Sequence, residues 1–233
     1  AGGARLYAGG PKGWYYANGG NFRTFRFYAR LRRQLLASGF QVEHVMNLTD
    51  IEDRIIRLAG ERGCTIREYV DPYEKTFLED LATFRVQGPA HTPRATDHIA
   101  GMLVMIGRLL ETGHAYQAEG AVYYRIASFP AYGELAHLDR AGLKPGARVA
   151  QDDYDKASVS DFALWKGSQP GDDAVGAAWD APFGRGRPGW HIECSVMSLD
   201  LMGPQLDIHA GGSDRIITHH QNGGTKSEAA NGQ

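Results

Sequence analysis

The sequence predicts an α/β protein built on a doubly wound parallel sheet, with an inserted mixed α/β segment between the two halves of that sheet. Two observations lead there. Near the N-terminus a short apolar strand ends in glycines, an amphipathic run of helical length follows, and an alternating strand comes after it. Toward the C-terminus a helix, a strand and a further helix repeat the alternation. A strand, a glycine loop, a helix and a second strand form a βαβ unit, whose crossover is right-handed and whose strands are parallel.

The elements follow in order. "RLYAGG" is the first strand. Asn21 suits the N-cap of the amphipathic run from Phe22 to Ser38, and Gly39 suits its end. "QVEHVMNL" alternates as the second strand. From Ile51 to Gly113 the pattern turns helical, through "EYVDPYEKTFLEDLATF" and "DHIAGMLVMIGRLLETG". "AVYYRIAS" and "DFALWKG" read as strands on either side of a polar, glycine-containing stretch at 133–160. The second half then supplies a helix from about His191 to Met202, the strand "QLDIHA" and a helix starting near Ser213. This divides the chain into a first half of about 1–113, an insertion of about 114–170 and a second half of about 171–233.

Composition bounds the function. A length of 233 residues with 42% hydrophobic content supports a sizeable core. A net charge of −2 gives no field that would gather nucleic acid non-specifically, so any RNA contact has to be local. The apolar runs fall short of the roughly 18–20 residues of a membrane span, and the N-terminus lacks a signal-peptide layout; a cytoplasmic location is expected. Cys64 and Cys194 do not make a disulfide framework and are read as reduced thiols, Cys64 incidental.

Three segments could carry chemistry. In "YYANGGNFRT" the pair Gly19-Gly20 precedes a helix whose first N–H groups suit phosphate oxygens, with Asn18 and Asn21 as added donors; a plain turn is the alternative. In "PGWHIECSVMS" Trp190 and His191 stand at a helix entrance. Cys194, three residues past His191, either ligates a metal as thiolate or fills core. In "LDIHAGGSDRIITHHQN" a strand runs into Gly211 and Gly212. Asp214 behind them is placed for ribose hydroxyls or for an N-cap, and His219 is placed for a metal.

Taken in order, "NLTDIEDRII" (47–56), "PRAT" with "HIA" behind it (93–100), "GWHIECSVMS" (189–198) and "LDIHAGGSDRIITHHQN" (206–222) resemble the catalytic domain of cysteinyl-tRNA synthetase, across almost the whole chain. That resemblance implies a Rossmann-like fold of the class I synthetase (HUP) type. It implies ATP-dependent formation of an aminoacyl-adenylate with Mg²⁺, transfer to tRNA, and a zinc ion gripping the substrate thiolate. The family's zinc ligands fall here on Gly9, Cys194, His219 and Gly223, so half the donors are missing and zinc is not expected to bind tightly. The HIGH signature falls on "NGGN", with Asn18 and Asn21 at its two histidines as the candidate catalytic pair. The implied ATP-binding residues are Asn18, Gly20, Asn21, Gly211, Gly212 and Asp214; the implied amino-acid-binding residues are Gly10, Thr49 and Trp190. Thr49 and Asp50 have an ordinary alternative as a cap for the next helix, and Trp190 one as core.

The family's KMSKS loop and helical anticodon-binding domain lie beyond "KSEAANGQ", which makes tRNA an unexpected partner for this stretch. The expected activity is ATP-dependent amino-acid activation without the cysteine-specific zinc site. A non-catalytic ligand-binding pseudo-synthetase and a fragment of a complete cysteine–tRNA ligase are the alternatives.

Overall fold

The computed structural model describes residues 2–135, 161–212 and 216–232. Two compact units emerge, one of Ala1–His98, Gly171–Ala177 and Met197–Gly211, the other of Ile99–Pro170, Ala178–Val196 and Gly212–Gln233.

In the first unit a three-stranded parallel sheet has the order β2-β1-β7, with β1 (Gly3–Ala8) in the middle, β2 (Gln41–Met46) on one side and β7 (Ile208–Ala210) on the other. β1 reaches β2 through α1 (Gly19–Ala37), which gives the expected βαβ unit. The cap of α1 differs from the expectation. Asn18, not Asn21, is the N-cap: its Oδ1 accepts from the Gly20 and Asn21 N–H groups at 2.9 and 3.2 Å, and Asn21 Oδ1 returns the bond to Asn18 N–H at 2.9 Å. This reciprocal capping box satisfies orphan donors well enough to draw two glycines into the first turn despite their poor helix propensity.

One side of α1 packs Phe22, Phe25, Tyr28 and Ala29 against Ala8 and Met46 of the sheet and against Phe77 and Leu81 of α3 (Ile66–Thr83). α2 (Asp53–Arg62) precedes α3; its N-cap is Glu52, whose side chain makes no capping hydrogen bond, so neither Thr49 nor Asp50 caps it. Instead the buried Asp50 accepts from Thr96 N–H at 3.1 Å and from the Thr96 hydroxyl. Backbone bonds from Met46 to His91 and from Leu48 to Pro93 lay "HTPRAT" beside the end of β2. Burial raises the Asp50 pKa, and the two Thr96 bonds hold it back. The "NLTD" and "PRAT" landmarks are thus one structural tie, with Arg94 anchored to Asp71 at 2.9 Å and to Glu74.

The second unit contains α4 (Ile99–Glu111) and a four-stranded antiparallel sheet in the order β3-β4-β5-β6: β3 (Ala115–Ala118), β4 (Ala121–Tyr124), β5 (Phe162–Gly167) and β6 (Gly186–Pro188). "AVYYRIAS" is a strand only through Tyr124; Ile126–Ser128 is a 3₁₀ turn. β5 meets β6 at close quarters, since a Cβ on Gly186 would lie 2.1 Å from Lys166 O and one on Gly189 2.1 Å from Ala163 O. Those contacts forbid any side chain there and fix the turn into α5 (Trp190–Met202). A π-helical turn, Ile216–His220, leads into α6 (Gln221–Asn231), so His219 sits in that widened turn rather than inside a regular helix. The expected helix start near Ser213, Asp214 itself, and most of the 133–160 stretch lie outside the described residues. No helix among the described residues is long and apolar enough to cross a membrane.

Candidate active site

In the first unit β1 sends its chain through α1 to one neighbour, while its other neighbour, β7, arrives from the far end of the sequence. That is a topological switch point, and a parallel sheet opens a crevice at the carboxyl ends of such strands. Register pairs Ala8 with Ala210, so Gly9-Gly10 and Gly211 leave the sheet side by side. Gly10 is required there: its N–H donates to Asn47 Oδ1 at 3.2 Å, and a Cβ would lie 1.9 Å from Asn47 O. Gly9 differs, because a Cβ there would meet nothing within 4 Å.

Thr49 is buried, joined to the opposite segment through Gly13 N–H to Thr49 O at 2.8 Å and Thr49 N–H to Pro11 O at 3.1 Å. It borders a cleft with Lys12, Gly13, Tyr15 and Tyr73. Lys12 is paired with Glu52 at 2.9 Å. At the start of α1, the Gly20 and Asn21 N–H groups are held by Asn18 Oδ1. Asn18, Gly19 and Gly20 are all exposed. An anion approaching this terminus therefore has to displace the Asn18 carboxamide oxygen before it meets those donors.

In the second unit the "GWHIEC" and "THH" segments come together. The Trp190 indole stacks on the His219 imidazole at 5.0 Å between centroids and 23° between planes, and His191 lies 5.1 Å from Trp190 and 6.1 Å from His219. Trp190 is half-buried, and Cys194 and His219 are buried. The Ser195 hydroxyl donates to Gly223 O at 3.3 Å, joining α5 to α6 one residue beyond Cys194. Of the four positions that the sequence resemblance gives to zinc ligands, Cys194 and His219 carry donor side chains, and Gly9 and Gly223 carry none. Among the described residues no group of three or more His, Cys, Asp and Glu side chains is placed to hold a metal ion.

The sequence reading did not foresee the four buried polar residues of α6: Gln221, Asn222, Thr225 and Lys226. Asn222 Oδ1 accepts from the Tyr132 hydroxyl at 2.7 Å, and Lys226 lies wholly inside. The buried stripe Gln221, Asn222, Thr225, Lys226, Ala229 and Ala230 repeats at helical spacing, but it is mostly polar, so no hydrophobic periodicity in the sequence announces it.

A family profile described as "tRNA synthetases class I (C) catalytic domain" matches residues 1–233. The chain belongs to this family. It is 46% identical over 230 residues to the cysteine–tRNA ligase of Chlamydia pneumoniae and 47% identical over 229 residues to that of Solibacter usitatus, covering 98% of this chain and 48% of each relative. The chain therefore spans about half the length of those curated relatives. Among solved structures, Mycobacterium tuberculosis methionyl-tRNA synthetase in complex with methionyl-adenylate is similar in fold, with a TM-score of 0.72 at 10% identity over 99% of this chain and 55% of that one. A putative arginyl-tRNA synthetase from Campylobacter jejuni gives 0.57 at 12% identity over 98% of this chain and 51% of that one. The α/β class, the parallel sheet and the class I synthetase type expected from the sequence are those found.

Proposed function

We propose that the chain is an amino-acid-activating domain of the cysteinyl type that holds ATP and an amino acid and joins them as an aminoacyl-adenylate, without the zinc–thiolate grip of its relatives. The observation that carries this reading is the switch point between β1 and β7, with Gly10 and Gly211 at its mouth and the α1 N-terminus next along the chain. On this reading Asn18, Gly20 and Asn21 face the triphosphate, Gly211, Gly212 and Asp214 the adenosine, and Gly10, Thr49 and Trp190 the amino acid. Segment 114–170 acts as an insertion between the halves of the sheet.

The chemistry needs no acid–base residue. A carboxylate oxygen of the amino acid attacks the α-phosphorus, the bond from that phosphorus to the bridging oxygen breaks, and pyrophosphate leaves with the magnesium that arrived on ATP. Positioning and charge stabilisation supply the rate. Asn18 and Asn21 donate hydrogen bonds but carry no positive charge, so catalysis suffers more than binding. Cys194 and His219 alone give zinc a poor site, and a substrate thiol loses its main contact.

A second reading, a ligand-binding domain without catalysis, is favoured by the self-capped α1 terminus, where Asn18 already occupies two donors. Amino-acid-dependent exchange of pyrophosphate into ATP separates the two. Exchange with at least one of the twenty amino acids supports activation; its absence with all of them, alongside ATP binding in a calorimeter, selects the second reading.

A further inference from the structure

Lys226 is fully buried at 0% exposure on a helix whose other inward residues are alanines and small polar groups. Its ammonium has three hydrogens to place. One goes to the Asn222 carbonyl at 2.7 Å, and the nitrogen also stands 4.9 Å from the Phe162 ring centroid. Among the described residues no carboxylate pairs with it. Burial lowers its pKa to about 7, with Cys194 the one charge neighbour that opposes the shift.

A buried ammonium with one neutral acceptor and, among the described residues, no carboxylate beside it destabilises a fold. Such groups concentrate where a ligand uses them. The surroundings say which ligand. Lys226 is three residues beyond Gly223, on the same side of α6. Gly223 touches Ser195, and Cys194 precedes Ser195 on α5. The lysine thus belongs to the neighbourhood of Cys194, close to Gly223, a position that the sequence resemblance gives to a metal ligand and that carries no side chain here.

We propose that Lys226 is the specificity-determining residue for the substrate side chain, its ammonium offering N–H donors to an oxygen acceptor (hydroxyl, amide or carboxylate) in the place where a metal would take a thiolate. The assignment rests on the amino-acid-binding reading above. An ammonium bonds well to oxygen and poorly to sulfur, whereas a thiolate calls for a soft metal. Buried donors left without an acceptor also discriminate strongly against side chains that lack one.

The test is calorimetry on the full chain with a non-hydrolysable ATP analogue and, in turn, serine, asparagine, aspartate, cysteine and alanine. At least one oxygen-bearing amino acid should bind about tenfold or more tighter than alanine and cysteine. In Lys226→Met that preference should vanish, with binding of the analogue unchanged and the unfolding midpoint raised. Should Lys226→Met fail to fold, Gly223→Glu, assayed with a metal chelator so that the new carboxylate gathers no zinc with Cys194 and His219, gives the same readout: a carboxylate one turn before Lys226 takes up its donors and abolishes the preference. A wild-type chain with no preference, or a variant that keeps it, overturns the assignment. Pyrophosphate exchange run in parallel separates the failures. Preference without exchange defeats adenylate formation and leaves Lys226 in place; exchange with an unaltered preference in Lys226→Met defeats only the role of the lysine.

Discussion

Replacing Asn18 by Asp should move fold stability and nucleotide affinity in opposite directions. In the free chain Asn18 Oδ1 accepts from the N–H groups of Gly20 and Asn21 at 2.9 and 3.2 Å. A carboxylate oxygen keeps both bonds and adds a negative charge at the positive end of α1, a helix with no acidic residue in its first turn. At an exposed N-terminus that is worth about 0.3–1 kcal/mol, or about 1–4 °C in unfolding midpoint for a chain of this size. If the same terminus takes the triphosphate, the new carboxylate stands beside phosphate oxygens. At about 4 Å that repulsion lies between about 1 kcal/mol in water and about 4 kcal/mol near a protein surface, so ATP should bind about fivefold weaker or worse. Thermal unfolding and ATP calorimetry on the same two proteins read both effects. A raised midpoint with unchanged ATP affinity would remove α1 from the nucleotide site and leave it as an ordinary capped helix.

Three further outcomes are expected. Gly10→Ala should lower stability by about 1–3 kcal/mol or more, because its Cβ would meet the backbone oxygen of Asn47, whereas Gly9→Cys should stay within about 0.5 kcal/mol because the space there is open; denaturant unfolding compares them. His44 is buried, neither ring nitrogen is hydrogen-bonded among the described residues, and burial, assisted by Arg32, lowers its pKa from 6.5 to about 4. The unfolded chain therefore binds a proton that the folded chain refuses, so this contribution is fully present above pH 6.5 and falls by about 3 kcal/mol as pH drops to 4; unfolding of His44→Leu across that window should show a flatter profile than wild type. Thr96→Val should leave the buried Asp50 without its hydroxyl partner and destabilise the chain by about 1–3 kcal/mol, more at pH 7 than at pH 4, where protonation of the carboxyl relieves the loss.

The βαβ start was legible because strand, glycine loop and amphipathic helix each carry their own period, and the order of the landmark segments carried the fold class. Capping was misread for a physical reason: Asn18 and Asn21 are the two halves of one reciprocal box, and either looks like a cap in isolation. The short strands β3 and β6 escaped notice because four residues and three residues show no alternation, and "GRP" reads as a turn until β5 is laid against it. The Asp50–Thr96 tie joins residues 46 positions apart, which no local pattern announces. In the candidate site the glycine at position 9 was visible by comparison of motifs. Lys226 was not, since a lysine in a polar C-terminal run reads as solvated until α6 is packed.

The proposed function has a nucleotide-holding sheet persist while the ion that grips a thiol has lost its site. Zinc content is its most direct test, measured by elemental analysis on the chain purified from zinc-supplemented medium. With two donors in place of the usual three or four, the account predicts less than about 0.1 zinc per chain. A value near one zinc per chain, retained through dialysis and lost in Cys194→Ser, would contradict it.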